Sequence, residues 1–294
     1  STRDLSLVVD KEIFVGQIEE VIKKCGGKPL NEAAVWQRAL IMAAGAFMNF
    51  LLGFVVMVVL IAAQSEPITS RVIYAIDDGA LCGQTGLEAG DKVLAVNGRR
   101  CFVANDMLYE LMRTEDYSAR FTVLRGGEKV ELPCVRFDTW QDDSGETHMS
   151  LGFTVYGIRK TPANVVKEAW NSVLYYGRII FTSLMDLLRG RESINDLSGP
   201  VGIVTAIGQA ASYGWQDLLE LLVLITVNLG IFNLLPFPAL DGGKVVFLLI
   251  EGVTGHAVPE KIQSGLTLAA FALLFGLMLF ATYNDILRLI TGAV

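Results

Sequence analysis

Charge is thin along this chain. Only 19% of its 294 residues are Asp, Glu, Lys or Arg, whereas a soluble domain is about a quarter charged. That shortfall, beside 52% hydrophobic residues, argues against disorder and against an ordinary cytosolic enzyme. Basic residues are outnumbered, 24 against 31, and they form no basic stripe, so nucleic acid is not an expected partner. The four cysteines, Cys25, Cys82, Cys101 and Cys134, lack Cys-x-x-Cys spacing, so neither a zinc knuckle nor a dense disulfide scaffold is indicated. Histidine is nearly missing, with His148 and His256 the two present; both read as ordinary surface residues. Residues 1–20 carry several charges and no apolar core segment, so they are not a signal peptide.

Long uncharged runs are what the sequence does have. Residues 39–63, 221–240 and 262–284 hold no charged side chain. A helix needs about 20 mostly apolar residues to span about 30 Å of hydrocarbon, so each run predicts a transmembrane helix: 38–64, 216–241 and 262–287. Lys23, Lys24, Lys28 and Arg38 precede the first, and Gln64, Ser65 and Glu66 follow it. Positive flanks stay inside. The expected order is a cytoplasmic segment 1–37, an extracytoplasmic region beginning at 66, and a cytoplasmic loop 242–261. Residues 165–188 place Trp170, Val173, Leu174, Gly177, Phe181, Leu184 and Leu188 at helical spacing, interrupted by Arg178 and Asp186. That pattern predicts an amphipathic helix at the membrane surface within 161–215; a fourth span is the alternative.

Residues 66–158 have a different texture, with short β-rich runs and turn signals. Residues 72–76 and 92–96 read as strands, the second closed by Asn97-Gly98. Asn105 or Asp106 is placed to cap a short helix through Met112. The segment Arg125-Gly126-Gly127-Glu128 joins two β-rich runs as a hairpin. The run Gly86-Leu87-Glu88-Ala89-Gly90-Asp91-Lys92-Val93-Leu94-Ala95-Val96-Asn97-Gly98 resembles the hallmark of bacterial PDZ domains. The resemblance implies a fold that takes a peptide as an added strand or that serves as a spacer or steric gate. In physical terms, Gly86 and Gly90 permit tight turns, while Leu87, Val93, Leu94 and Val96 can fill a small core. The fold class expected is a multi-pass α-helical membrane protein with an inserted α+β PDZ-like domain.

The chemistry is concentrated in Asn233-Leu-Leu-Pro236-Phe-Pro238-Ala-Leu-Asp241-Gly242-Gly243. Two prolines remove two backbone donors and break a helix. Irregular backbone at membrane depth is tolerated only beside protein or a water-filled cavity, and an Asp there is costly unless paired or holding a metal. Gly242 and Gly243 allow close backbone approach. A polar pocket around the Asp241 carboxylate is one reading; a simple helix cap at the interface is the other.

This stretch resembles the second signature of the site-2 protease family, intramembrane zinc metalloproteases in which Asn-x-x-Pro-x-Pro-x-x-Asp-Gly precedes the last span. Val227-Asn228-Leu229-Gly230-Ile231, Ser198-Gly199-Pro200-Val201-Gly202, and Trp36-Gln37-Arg38 followed by Ala44-Gly45-Ala46-Phe47-Met48-Asn49-Phe50 resemble its other landmarks, with Ala46 where members usually carry Pro. The likeness covers residues 35 to 290. It implies bacterial inner-membrane localisation and zinc-dependent cleavage of a single-pass transmembrane substrate, such as an anti-sigma factor or signal-peptide remnant. In that scheme Asp241 is a zinc ligand, Asn233 orients the substrate or stabilises the oxyanion, and the Pro236–Pro238 kink pairs with an unwound substrate strand. The family's His-Glu-x-x-His motif, whose histidines bind zinc and whose Glu is the general base, has no counterpart here. The chain therefore reads as the C-terminal part of such an enzyme, not expected to bind zinc alone. A separately encoded first span, or a non-catalytic membrane-anchored PDZ receptor, is the alternative.

Overall fold

The computed structural model describes residues 34–114, 116–142, 145–191 and 197–291. The expected cytoplasmic segment, apart from its last four residues, and Cys25 with it, lies outside the described residues. Among the described residues, eight strands and two short helices of the insert are flanked by long helices, in the order α1 (Val35–Ala63), β1 (Ile68–Ile76), α2 (Leu81–Gln84), β2 (Lys92–Val96), β3 (Arg99–Arg100), α3 (Ala104–Met112), β4 (Ser118–Arg125), β5 (Glu128–Arg136), β6 (Asp138–Gln141), β7 (Thr147–Ser150), β8 (Phe153–Ile158), α4 (Pro162–Leu188), α5 (Pro200–Tyr213), α6 (Trp215–Leu234), α7 (Asp241–Thr254) and α8 (Glu260–Thr291). The chain divides into two compact units: Ser1–Gly45 with Asn233–Ala272, and Ala46–Phe232 with Leu273–Val294.

Among the described residues three helices, α1, α6 and α8, are long and apolar enough to cross a membrane. At 1.5 Å per residue, the 32 residues of α8 extend about 48 Å, more than a bilayer core requires. Large side chains along α1, among them Leu40, Phe47, Leu52 and Val59, are exposed. Water does not solvate such a continuous apolar face favourably; hydrocarbon does.

Between Ile68 and Ile158 the chain forms an antiparallel sheet with strand order β5-β4-β2-β1-β8, and β3 pairs with β2. The turn signals act where the sequence put them. Asn97 and Gly98 both take positive φ, 51° and 78°, closing β2 onto β3, and Arg125 pairs with Glu128 across Gly126-Gly127. Leu87, Val93 and Val96 enter a core with Ile73, Met107, Leu111, Phe121, Val123 and Val135; Leu94 is half-buried.

Four sequence expectations change. The second span does not run to 241: α6 ends at Leu234, because Pro236 withholds its amide and disfavours helical geometry in Leu235. Residues 242–261, read as a loop, are helical as far as Thr254. The region 161–215 holds two helices rather than one helix and a loop. Finally, the N-cap of α3 is Val103. Asp106 stands three positions later, accepting hydrogen bonds from the amides of Phe102 and Val103, the latter at 2.9 Å, so it satisfies the helix start from inside the first turn.

Within the second unit, small residues let elements approach. A Cβ added at Gly53 would lie 3.1 Å from Val227, and one at Gly230 would lie 3.0 Å from the Phe50 ring. The Ser198-Gly199-Pro200-Val201-Gly202 motif starts α5 with Pro200 in its first turn. The Gly202 amide donates to the buried Asp285 carboxylate at 2.7 Å.

Candidate active site

The break between α6 and α7 spans residues 235–240. Two short turns reverse the chain: the Phe237 amide donates to the Leu235 carbonyl at 2.7 Å and the Leu240 amide to the Phe237 carbonyl at 2.9 Å. The Thr267 hydroxyl donates to the Pro238 carbonyl at 3.2 Å, anchoring the turn on α8. Pro236 is exposed, and Pro238 and Asn233 are half-buried.

The two glycines explain how the turn closes. A Cβ on Gly242 would sit 2.2 Å from the Leu235 oxygen and 2.5 Å from the Leu234 oxygen; on Gly243 it would sit 2.3 Å from the Phe237 oxygen. Any side chain there would overlap backbone. The first turn of α7 is therefore pressed against the broken segment.

Asp241 opens α7, whose N-cap is Leu240 with no side-chain cap bond. Asp241 is the first residue inside the helix, one position past that cap. It lies 3.6 Å from Lys244 Nζ, one turn on, with its side chain 40% exposed, and its Oδ2 faces Gly45, where an added Cβ would be 3.7 Å away. Glycine on α1 leaves room at that carboxylate. Arg38 pairs with Glu251, and a Cβ added at Gly252 would lie 3.6 Å from Val35, so the start of α1 sits beside the far end of α7.

The glycine-rich run of the insert assembles a different feature. Gly86 and Gly90 take φ of 119° and 94°, the left-handed region that glycine enters without strain. Asp91 is buried and is gripped by Arg125, Nε at 2.8 Å and Nη2 at 2.7 Å, while the same guanidinium reaches the Gly86 carbonyl at 2.7 Å. The planar fork of arginine suits this bidentate grip. Asn97 accepts from the Arg120 amide at 2.9 Å. These residues brace the fold around one buried carboxylate. Sequence reasoning missed Arg125, since its partner lies 34 positions away.

Neither histidine stands with Asp241. His256 Nδ1 is 2.9 Å from the Thr254 carbonyl, at the opposite end of α7, about 20 Å along a 14-residue helix. His148 belongs to the β6–β7 hairpin, where its Nε2 is 2.9 Å from Asp142 and its ring lies against Trp140. Catalytic zinc takes three protein donors and a water. The three-donor grouping among the described residues is Asp142, Glu146 and His148, in the hairpin. Around Asp241 the residues present supply one donor and do not fit a zinc centre by themselves.

The sequence matches Peptidase family M50 over residues 10–277. The chain belongs to that family. Among its relatives, the regulator of sigma-W protease RasP of Bacillus subtilis strain 168 is 31% identical over 96% of this chain and 66% of its own length. The zinc metalloprotease RasP of Bacillus licheniformis is 30% identical over 96% of this chain and 67% of its own length, and that of Geobacillus kaustophilus strain HTA426 is 34% identical over 85% and 59%. The chain thus spans between 59% and 67% of the length of these relatives. The M50 match begins at residue 10, inside a segment where motif reading found no likeness.

Proposed function

We propose that the chain forms the C-terminal part of an intramembrane zinc endopeptidase acting on single-pass transmembrane proteins, of the kind an anti-sigma factor or signal-peptide remnant represents. The carrying observation is the broken helix: Asp241 in the first turn of α7, with an irregular backbone immediately before it. In this reading Asp241 contributes one metal donor, Asn233 faces the substrate, and Pro236 and Pro238 keep backbone available to an unwound substrate strand. The remaining donors lie outside this sequence, so no hydrolytic step is assigned to the chain alone. The presence of one donor also favours a second reading, a membrane-anchored receptor without catalysis.

The sheet domain is read as PDZ-like and extracytoplasmic. Its β8 is an edge strand, and an edge accepts a peptide strand. In this reading it excludes substrates with bulky extracytoplasmic parts. Helix α4 follows β8 directly, and Asp186, near its other end, pairs with Arg113 of the sheet domain. Both ends therefore lie by the same domain, which supports a helix along the membrane face rather than a fourth span.

The test joins the chain to a span bearing His-Glu-x-x-His and offers it a single-pass substrate, trimmed or untrimmed outside the membrane. Trimmed substrate should be cut faster, and removing residues 66–158 should narrow the difference. A zinc-loaded protein that cuts neither substrate sinks the protease reading in favour of the receptor.

Sidedness has its own readout. Cys82 and Cys101 are buried and Cys134 is exposed, so of these three cysteines Cys134 is the one expected to report sidedness. Burial also pushes the Cys101 thiol up to about 12, which keeps it protonated and unreactive through pH 9. An impermeant maleimide should label Cys134 in intact cells, and Cys82 and Cys101 only after denaturation. Labelling of Cys134 solely after the membrane is opened would reverse the orientation.

A further inference from the structure

Beyond its first two turns α4 carries two charges, Arg178 and Asp186, and neither is left to solvent. Arg178 pairs with Asp106 and lies 3.7 Å from Glu110 on α3, and its Nη1 donates to the Arg100 carbonyl at 2.5 Å. Asp186 pairs with Arg113, just past the end of α3, and lies 3.7 Å from Arg191. The acids are nearly sealed: Asp106, Glu110 and Asp186 are 0%, 3% and 2% exposed. Arg99 approaches Glu110 at 3.5 Å from the other side.

The spacings match. Arg178 and Asp186 are eight residues apart on α4, about 12 Å along its axis, and Asp106 of α3 is seven residues before Arg113, the residue that caps the end of that helix, about 10 Å away. The two ties follow the same order along both helices, one near each end of α3. The polarity alternates, cation on α4 at one tie and anion at the other. Reversing the direction of one helix would set Arg178 against Arg113 and Asp186 against Asp106, like charge against like. One tie would permit rotation about itself; two fix an orientation.

We propose that Arg178 and Asp186 are positioning residues by which α4 holds the sheet domain at one fixed angle, so that the filter is a rigid cover rather than a swinging one. The selectivity consequence rests on reading that domain as a filter, but the docking does not. In the docked state α3, the helix that packs on β1 and β2, cannot rock without breaking a tie that buries a carboxylate.

Hydrogen exchange on the membrane-embedded chain tests the docking without any cleavage. Arg113→Asp sets two acids together, and Asp186→Arg sets two cations together. Each should speed exchange of the α3 amides and of α4 beyond residue 178 by about tenfold or more, while the double swap should return them to near the parent rate, as coupled pairs do. Exchange in β2 and β4 should stay constant in all three, which separates undocking from unfolding. Arg178→Lys, which keeps charge but loses the fork, should give a smaller acceleration confined to the first tie. Single variants indistinguishable from the parent, or a double swap whose effects simply add, would overturn the proposal. Cleavage then addresses the filter: the untrimmed-to-trimmed ratio should rise in the single variants and fall back in the double. Faster exchange with an unchanged ratio would leave the docking standing and remove the filter reading.

Discussion

Replacing Asp241 with Asn is expected to abolish cleavage in a protein that joins this chain to a span bearing His-Glu-x-x-His, while leaving the fold intact. The fold survives because the carboxylate does little structural work. Its partner is Lys244 at 3.6 Å with both side chains substantially exposed, a contact worth about 0–1 kcal/mol. Its place in the first turn of α7 adds about 0.3–1 kcal/mol of dipole interaction. As a metal donor its loss is far larger. Residues that merely orient zinc ligands cost about 10- to 100-fold when removed, so losing a ligand should exceed about 100-fold in both zinc affinity and turnover. Asn233→Ala provides the contrast: zinc content unchanged, with a rate fall of about 100-fold if its amide serves the oxyanion. Metal analysis and cleavage of a single-pass substrate measure both. Full activity with Asn at 241 would remove the carboxylate from the metal assignment.

Gly243→Ala is expected to be nearly as damaging by another route. Helix propensity favours the change, since Ala in a helix interior is better than Gly by about 1 kcal/mol. Sterics oppose it, because the new Cβ would lie 2.3 Å from the Phe237 oxygen and 2.6 Å from the Pro238 Cα. Backbone has no rotamer by which to retreat, so the overlap should outweigh the propensity gain, as overpacking of about 1–3 kcal/mol or more does in a tight core. Either α7 backs away from the break, carrying Asp241 out of place, or the turn opens. Gly265→Ala is the control, with nothing within 4 Å of its added Cβ. Thermal unfolding in detergent should show a lower Tm for Gly243→Ala and an equal or higher one for Gly265→Ala. An unperturbed Gly243→Ala protein would mean that the turn is not closed as described.

What was legible in the sequence was local. Asn97-Gly98 and Gly126-Gly127 announce their turns because positive φ is a property of the residue itself. Pro236 and Pro238 announce the broken helix for the same reason, although not its end at Leu234, where the restriction falls on the residue before each proline. The helix α7 was hidden because its start, Asp241-Gly242-Gly243, looks like a loop until the close approach to Leu235 and Phe237 is seen. The ties between Arg178 and Asp106, Arg113 and Asp186, and Arg125 and Asp91 were illegible, since they join residues 34 to 73 positions apart and no pattern in one strand or helix foretells its partner. Burial of Cys82 and Cys101 was illegible too, since a free thiol reads alike on a surface and in a core.

The strand order has an evolutionary consequence. The chain enters the insert through β1 and leaves through β8, and these are sheet neighbours with Ile68 opposite Ile158. Ninety residues therefore depart and return through a doorway one rung wide, about 5 Å. A lineage could lengthen, duplicate or discard the whole module without respacing the helices on either side. Such a domain behaves as a cassette, and under the proposed filter role its selectivity can drift at a pace independent of the helices that carry it.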